Sequence, residues 1–107
     1  PAMTSAALVG ENRGTLESGR SNDWVYNGQA GESIDISMDA NWDTVLTVFD
    51  PFGLPIARND DDHSSLQSAI YSLPLEVAGQ YHIVVTGYDA DAYGPYVLRL
   101  QSSRNSG

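Results

Sequence analysis

Residues 80–87 read QYHIVVTG, and their alternation decides the fold. Tyr81, Ile83 and Val85 fall on one side of an extended chain and His82, Val84 and Thr86 on the other, the two-residue period of a β-strand. β-Branched and aromatic residues fill the run, and these suit pleated backbone better than helix. The same period recurs on either side. In SIDISMD (33–39), Ile34, Ile36 and Met38 share a face opposite Ser33, Asp35 and Ser37. In YVLRLQ (96–101), Tyr96, Leu98 and Leu100 oppose Val97, Arg99 and Gln101, and in DWVYNG (23–28) Trp24 and Tyr26 fall together. Each segment therefore offers one apolar face to a core.

Turn chemistry separates these segments: NGQAGE, DANWD, DPFG, NDDDHSS, EVAGQ and DADAYGP. Gly supplies positive φ, Pro fixes φ, and Asp or Asn bonds its own backbone two residues on. The pattern predicts seven or eight short strands, at about 13–18, 23–27, 32–39, 44–50, 55–58, 67–73, 79–87 and 94–101. Consecutive strands with short turns specify an all-β fold, an antiparallel β-sandwich. The chain of 107 residues forms one domain over 6–101, with small polar ends at 1–5 and 102–107 expected to be flexible. The opening Pro-Ala-Met resembles a cloning remnant, in which case any export signal lies upstream.

The chain carries 14 acidic residues against 5 arginines and no lysine, a formal charge of −9. Such a surface repels phosphate backbones and anionic headgroups, which argues against nucleic acid and bare membrane as partners. Cations and uncharged polymers remain. High net charge also favours solubility whatever the function. With no cysteine, disulfides and thiolate metal sites are excluded. No apolar run approaches the ~20 residues of a membrane-spanning helix.

Several stretches, in order, resemble the bacterial pre-peptidase C-terminal domain family. NDWVYNGQAGESIDI (22–36) is similar to the family's acidic–x–aromatic–x–aromatic–x–G–x–A–G–x–x–apolar–x–apolar signature. WDTVLTVFDPFGLPIARNDDD (42–62) is similar to its D-T-x-L-x-L-x-D-P-x-G segment closing on N-D-D. QSAIYSLPLEVAGQYHIVV (67–85), GPYVLRL (94–100) and LVGENRGTLESG (8–19) resemble its later and opening strands. The resemblance covers residues 8–101 and implies a jelly-roll-like sandwich from a secreted or cell-surface protein. It further implies a non-catalytic domain sharing its full-length chain with peptidase or adhesin domains. The related collagen-binding modules of clostridial collagenases bind calcium and polymer, which raises both ligands as expectations here. Asn22 departs from the family's usual Asp.

The acidic corner is the candidate metal site. Calcium takes ~6–8 oxygen ligands, and Asn59, Asp60, Asp61 and Asp62, with Asp43 from the preceding strand, offer that chemistry. Turn capping by the same side chains is the competing reading, and it applies with more force to Asp89 and Asp91. Asp43 and Asp50 each flank a strand and can pin a turn. DADAYG is not an EF-hand, because Leu100 stands where the bidentate Glu is required.

Trp24, Tyr26, Tyr81 and Tyr96 lie on apolar faces and read as core. Trp42, Phe52, Tyr88 and Tyr93 lie in turns, where they either cap the sandwich or stack on a ligand. Trp42, Tyr88 and Tyr93 are the candidate ligand-binding residues. His63, Ser64, Ser65 and neighbouring acids do not make a triad, since triads assemble from separated segments, and no G-x-S-x-G elbow or zinc spacing is present. The expected function is a non-catalytic accessory module that aids maturation, stability or binding to an extracellular polysaccharide or protein. The alternative is a calcium-rigidified spacer in a large adhesin, with no ligand of its own.

Overall fold

The computed structural model describes residues 3–59 and 68–103, which form nine strands and no helix. These are β1 (Met3–Ala6), β2 (Gly10–Leu16), β3 (Asn22–Gly28), β4 (Glu32–Asp39), β5 (Thr44–Phe49), β6 (Pro55–Asn59), β7 (Ala69–Leu75), β8 (Gly79–Gly87) and β9 (Gly94–Ser102). One sheet has the order β1-β3-β8-β5-β6 and the other β2-β9-β4-β7. Each connection changes sheet except the β5–β6 hairpin. Sequence neighbours are therefore seldom neighbours in a sheet, and the connections collect at the two ends of the sandwich.

The alternation read from the sequence is the core. Trp24, Tyr26, Tyr81, Ile83 and Val85 from one sheet meet Ile34, Ile36, Met38, Tyr96, Leu98 and Leu100 from the other, all buried. Burying one such side chain contributes about 1.5–3 kcal/mol, so this face-to-face layer is the dominant stabilising term. A one-residue slip of β8 would turn Tyr81, Ile83 and Val85 into solvent, which is what fixes its register against β3 and β5.

The segment 44–59 forms β5, a turn at 50–54, and β6. Asp50 Oδ1 accepts from the backbone N–H of Phe52 (3.0 Å) and Leu54 (2.9 Å), and Gly53 takes φ 85°. Asp50 is thus a turn-former, as the sequence indicates.

Nine strands stand where seven or eight are expected, and several boundaries differ, those at the chain ends most. The sequence points to a flexible end over 1–5, yet Met3–Ala6 pair in parallel with Asn22–Val25 at the sheet margin. Ser102, read with the other flexible end, pairs with Ile34 as the last residue of β9. Both extensions are dictated by the neighbouring strand rather than by local apolar pattern. β7 starts later than expected and carries a bulge opposite Ile34 and Ile36, where Ser72 takes φ 54° and donates its N–H to Asp35 Oδ1 at 2.7 Å.

Candidate functional site

The connections 17–21, 40–43 and 88–93 share one end of the sandwich. Hydrogen bonds tie them together. Ser18 Oγ donates to Ala90 O (2.7 Å), Tyr88 N to Asp43 O (3.1 Å), and Trp42 Nε1 to Pro95 O (2.9 Å).

Trp42 is only 7% exposed and stands edge-on to Tyr96, with ring centroids 6.1 Å apart. Gly94, at φ +139°, brings its backbone against the indole, where a Cβ would come within 3.1 Å of Nε1. The reading of Trp42 as a ligand-stacking residue is therefore corrected. Its ring closes the end of the core, and its N–H is already committed.

Tyr88 and Tyr93 are different, at 63% and 51% exposed. The loop that carries them is fixed. Asp89 Oδ1 accepts from Asp91 N at 2.9 Å, and Ala92 N donates to Asp89 O at 3.1 Å. The loop then folds back onto Gly87, where an added Cβ would sit 1.9 Å from Ala92 O. Asp89 is thus the turn-capping residue the sequence suggests, and the two tyrosines project from a constrained support.

Of the five residues expected to hold a metal, Asp60, Asp61 and Asp62 lie outside the described residues. Asn59 ends β6, and its Oδ1 accepts from Ala69 N at 3.4 Å. Asp43 immediately precedes β5. Its Oδ1 is buried and has no hydrogen-bond partner among the described residues. A buried carboxylate oxygen without a donor is costly, and a hard cation or an N–H would each relieve it. Among the described residues no three acidic, His or Cys side chains gather into a metal-ligating group.

Two polar clusters were not expected. Glu32 is buried and accepts from Gln29 N (2.9 Å), from the Tyr26 hydroxyl and from the Ser102 hydroxyl. Its phase was the available signal, since it alternates with Ile34, Ile36 and Met38. Asn22 is also buried; its Nδ2 donates to Thr15 O (3.1 Å) and to Tyr96 Oη (2.7 Å). Trp24 Nε1 donates to the same hydroxyl at 2.8 Å. Burial raises the Tyr96 pKa above its usual range, and the bonds from Asn22 and Trp24 oppose that in part. An Asp at position 22 could not make the first of these bonds: a carboxylate cannot donate to the Thr15 carbonyl.

On the outer face of the five-stranded sheet, His82 Nδ1 lies 2.9 Å from Asp23 Oδ2. No hydroxyl among the described residues is hydrogen-bonded to this ring. Across the other sheet's outer face, Arg99 bridges Glu11 (2.9 Å) and Asp39 (3.1 Å). The two Arg99 pairs are exposed and worth about 0–1 kcal/mol each.

No protein-family model matches the chain, and no curated protein matches it in sequence. Solved structures do share its fold. The pre-peptidase C-terminal domain of collagenase from Bacillus anthracis superposes with a TM-score of 0.70 at 18% identity, over 94% of this chain and 97% of that one. PliG of Aeromonas hydrophila, a periplasmic inhibitor of g-type lysozyme, gives 0.67 at 17% identity over 94% and 97%. PliG of Salmonella Typhimurium gives 0.67 at 13% identity over 94% and 99%. The chain has the sandwich fold that a pre-peptidase C-terminal domain and the periplasmic lysozyme inhibitors share.

Proposed function

We propose that this chain is a non-catalytic accessory module of a secreted or cell-surface bacterial protein, and that it engages an extracellular protein or polysaccharide through Tyr88 and Tyr93. The observation that carries the reading is the pair of exposed aromatic rings on a loop pinned by Asp89, Ala92 and Gly87. A rigid aromatic gives contact area at low entropic cost. The fold supports the reading because it serves in a collagenase accessory domain and in lysozyme inhibitors. The inhibitors' likeness favours a protein partner.

The test is a pull-down with insoluble polysaccharides and fibrous collagen, together with a glycan array, comparing wild type with a Tyr88→Ser/Tyr93→Ser double variant. Retention of the wild type, lost in an equally stable double variant, is the expected result. Binding that survives the double substitution overturns the assignment of the loop.

A second reading is favoured by the orphaned Asp43 oxygen. In it Asp43, with residues 59–62, holds calcium that rigidifies this end, and the domain is a spacer without a ligand of its own. Calcium-dependent stability with silence in every binding assay supports that reading against the first.

A further inference from the structure

The opposite end of the sandwich carries a feature that the tyrosine loop does not use. The edge strands β6 and β7, one from each sheet, meet there beside the 50–54 turn and the 75–79 turn. Between them lies a cavity of about 400 Å³, lined by Phe52, Ile56, Leu73, Pro74, Val77 and Tyr81. Its rim is acidic, with Asp50 and Glu76. Phe52 is 76% exposed, and the neighbouring Leu54 and Ile56 are exposed as well. An apolar hollow of this size with a few polar groups at its edge has the dimensions and composition of a binding site, and a contiguous exposed apolar surface marks an interaction site more often than a bare surface.

We infer that this groove docks a cationic segment of a partner protein, an apolar side chain entering the hollow while a flanking Arg or Lys meets Asp50 and Glu76. The inference is independent of the Tyr88/Tyr93 reading, which concerns the other end. Charge selects the occupant. A second copy of this chain would bring −9 against −9, and no cation is among the described residues lining the groove to offset it. A basic partner is drawn in by the same field.

Geometry selects the mode. Pro55 opens β6 beside a bulge, and β7 carries both its own bulge at Ser72 and Pro74. Pro and bulges blunt an edge against strand addition. The occupant is therefore held by side chains, not by extending a sheet.

The experiment is an NMR amide titration of the whole chain with three synthetic pentapeptides, Gly-Arg-Leu-Arg-Gly, Gly-Glu-Leu-Glu-Gly and Gly-Arg-Ser-Arg-Gly. The Arg-Leu-Arg peptide is expected to shift the amides of Phe52, Ile56, Leu73 and Val77 and to leave those of Tyr88 and Tyr93 in place. The Glu-Leu-Glu and Arg-Ser-Arg peptides are each expected to bind about tenfold more weakly or worse. Phe52→Ser and Glu76→Lys, both at exposed positions, are expected to weaken the Arg-Leu-Arg peptide by about tenfold with unchanged melting temperature, whereas Tyr93→Ser leaves it unaltered. Equal binding of the Glu-Leu-Glu peptide, binding indifferent to both groove variants, or no shifts at the groove overturns the proposal. So do shifts at the groove that depend on protein concentration without peptide, which would give the surface to a second copy.

Discussion

Asn22→Asp changes one atom type at constant volume, and the structure makes it costly. The side chain of Asn22 is buried, and its amide nitrogen donates to Thr15 O at 3.1 Å in a partly buried bond and to Tyr96 Oη at 2.7 Å in a buried one. A carboxylate oxygen in its place would face the Thr15 carbonyl as a second acceptor, and a buried acceptor left unpaired costs about 1–3 kcal/mol. The Tyr96 hydroxyl can turn and donate to the new carboxylate, a charge-assisted bond that returns about 1.5–3 kcal/mol. The buried charge itself costs several kcal/mol more. The balance is a loss of about 3 kcal/mol at neutral pH, or roughly 12–24 °C in Tm for a domain of this size. Urea titration followed by circular dichroism measures it. Burial raises the introduced carboxyl's pKa, so its proton is held more tightly in the folded state. The deficit relative to wild type is therefore largest at neutral pH and shrinks as pH falls through that raised pKa. Asn22→Ala, which brings no charge, should show a deficit that does not vary with pH. An Asn22→Asp protein within about 0.5 kcal/mol of wild type, or a deficit equal at neutral and acid pH, refutes the account of this cluster.

Glu32→Ala removes the acceptor shared by Gln29 N, Tyr26 and Ser102, and should cost about 2–4 kcal/mol in chemical denaturation; a near-neutral result would mean that water replaces it. Gly87→Ala places a methyl against Ala92 O and should cost about 2–4 kcal/mol while shifting the amides of the 88–93 loop. Tyr96 has a raised pKa when folded, so the stability it contributes is full below about pH 10 and is lost as pH rises through the folded value. Urea midpoints between about pH 9 and 11 should fall less steeply in Tyr96→Phe than in wild type. Calcium at 100 times its Kd should add about 2.7 kcal/mol relative to chelator, and Asp43→Ala should abolish the gain; an unchanged wild-type Tm removes the metal.

Most of the sandwich was legible because a two-residue period admits only one way to bury a half-apolar strand. Ile34, Ile36, Met38, Tyr81, Ile83, Val85, Leu98 and Leu100 all face inward as that period requires. What escaped was whatever depends on a neighbour distant in sequence. Met3–Ala6 has no apolar alternation and becomes a strand only because the β3 edge is there to pair with. Trp42 sits in a turn and is polar-flanked, so nothing local distinguishes a displayed indole from one that folds inward onto Tyr96. The groove at β6 and β7 is set by which strands end up as edges, a property of topology. Glu32 was legible in phase, but a carboxylate at an inward position conflicts with composition-based expectation until its three donors are seen.

The acidity that first suggested a cation has a second origin in the turns. Asp50 receives Phe52 and Leu54, Asp89 receives Asp91, Asp35 receives Ser72, and Glu32 receives Gln29, all through backbone N–H groups. Tight turns, in the β5–β6 hairpin as in the connections between sheets, leave backbone donors unpaired, as does a bulge such as Ser72. A carboxylate satisfies two at once where an amide or hydroxyl satisfies them less strongly. Arg99 is shared between Glu11 and Asp39, Arg13 also reaches Glu11, and Asp23 lies against the His82 ring. Much of the negative charge is therefore a by-product of tying the chain, and it is not by itself a ligand signal. Its consequence is still functional, because a field built to satisfy turns acts on everything that approaches. On the proposals above, it would disfavour polyanions and favour cations at Asp43 and basic side chains at Asp50 and Glu76. Raising the salt concentration should therefore weaken the Arg-Leu-Arg peptide at the groove while leaving the turn bonds, and with them the fold, intact.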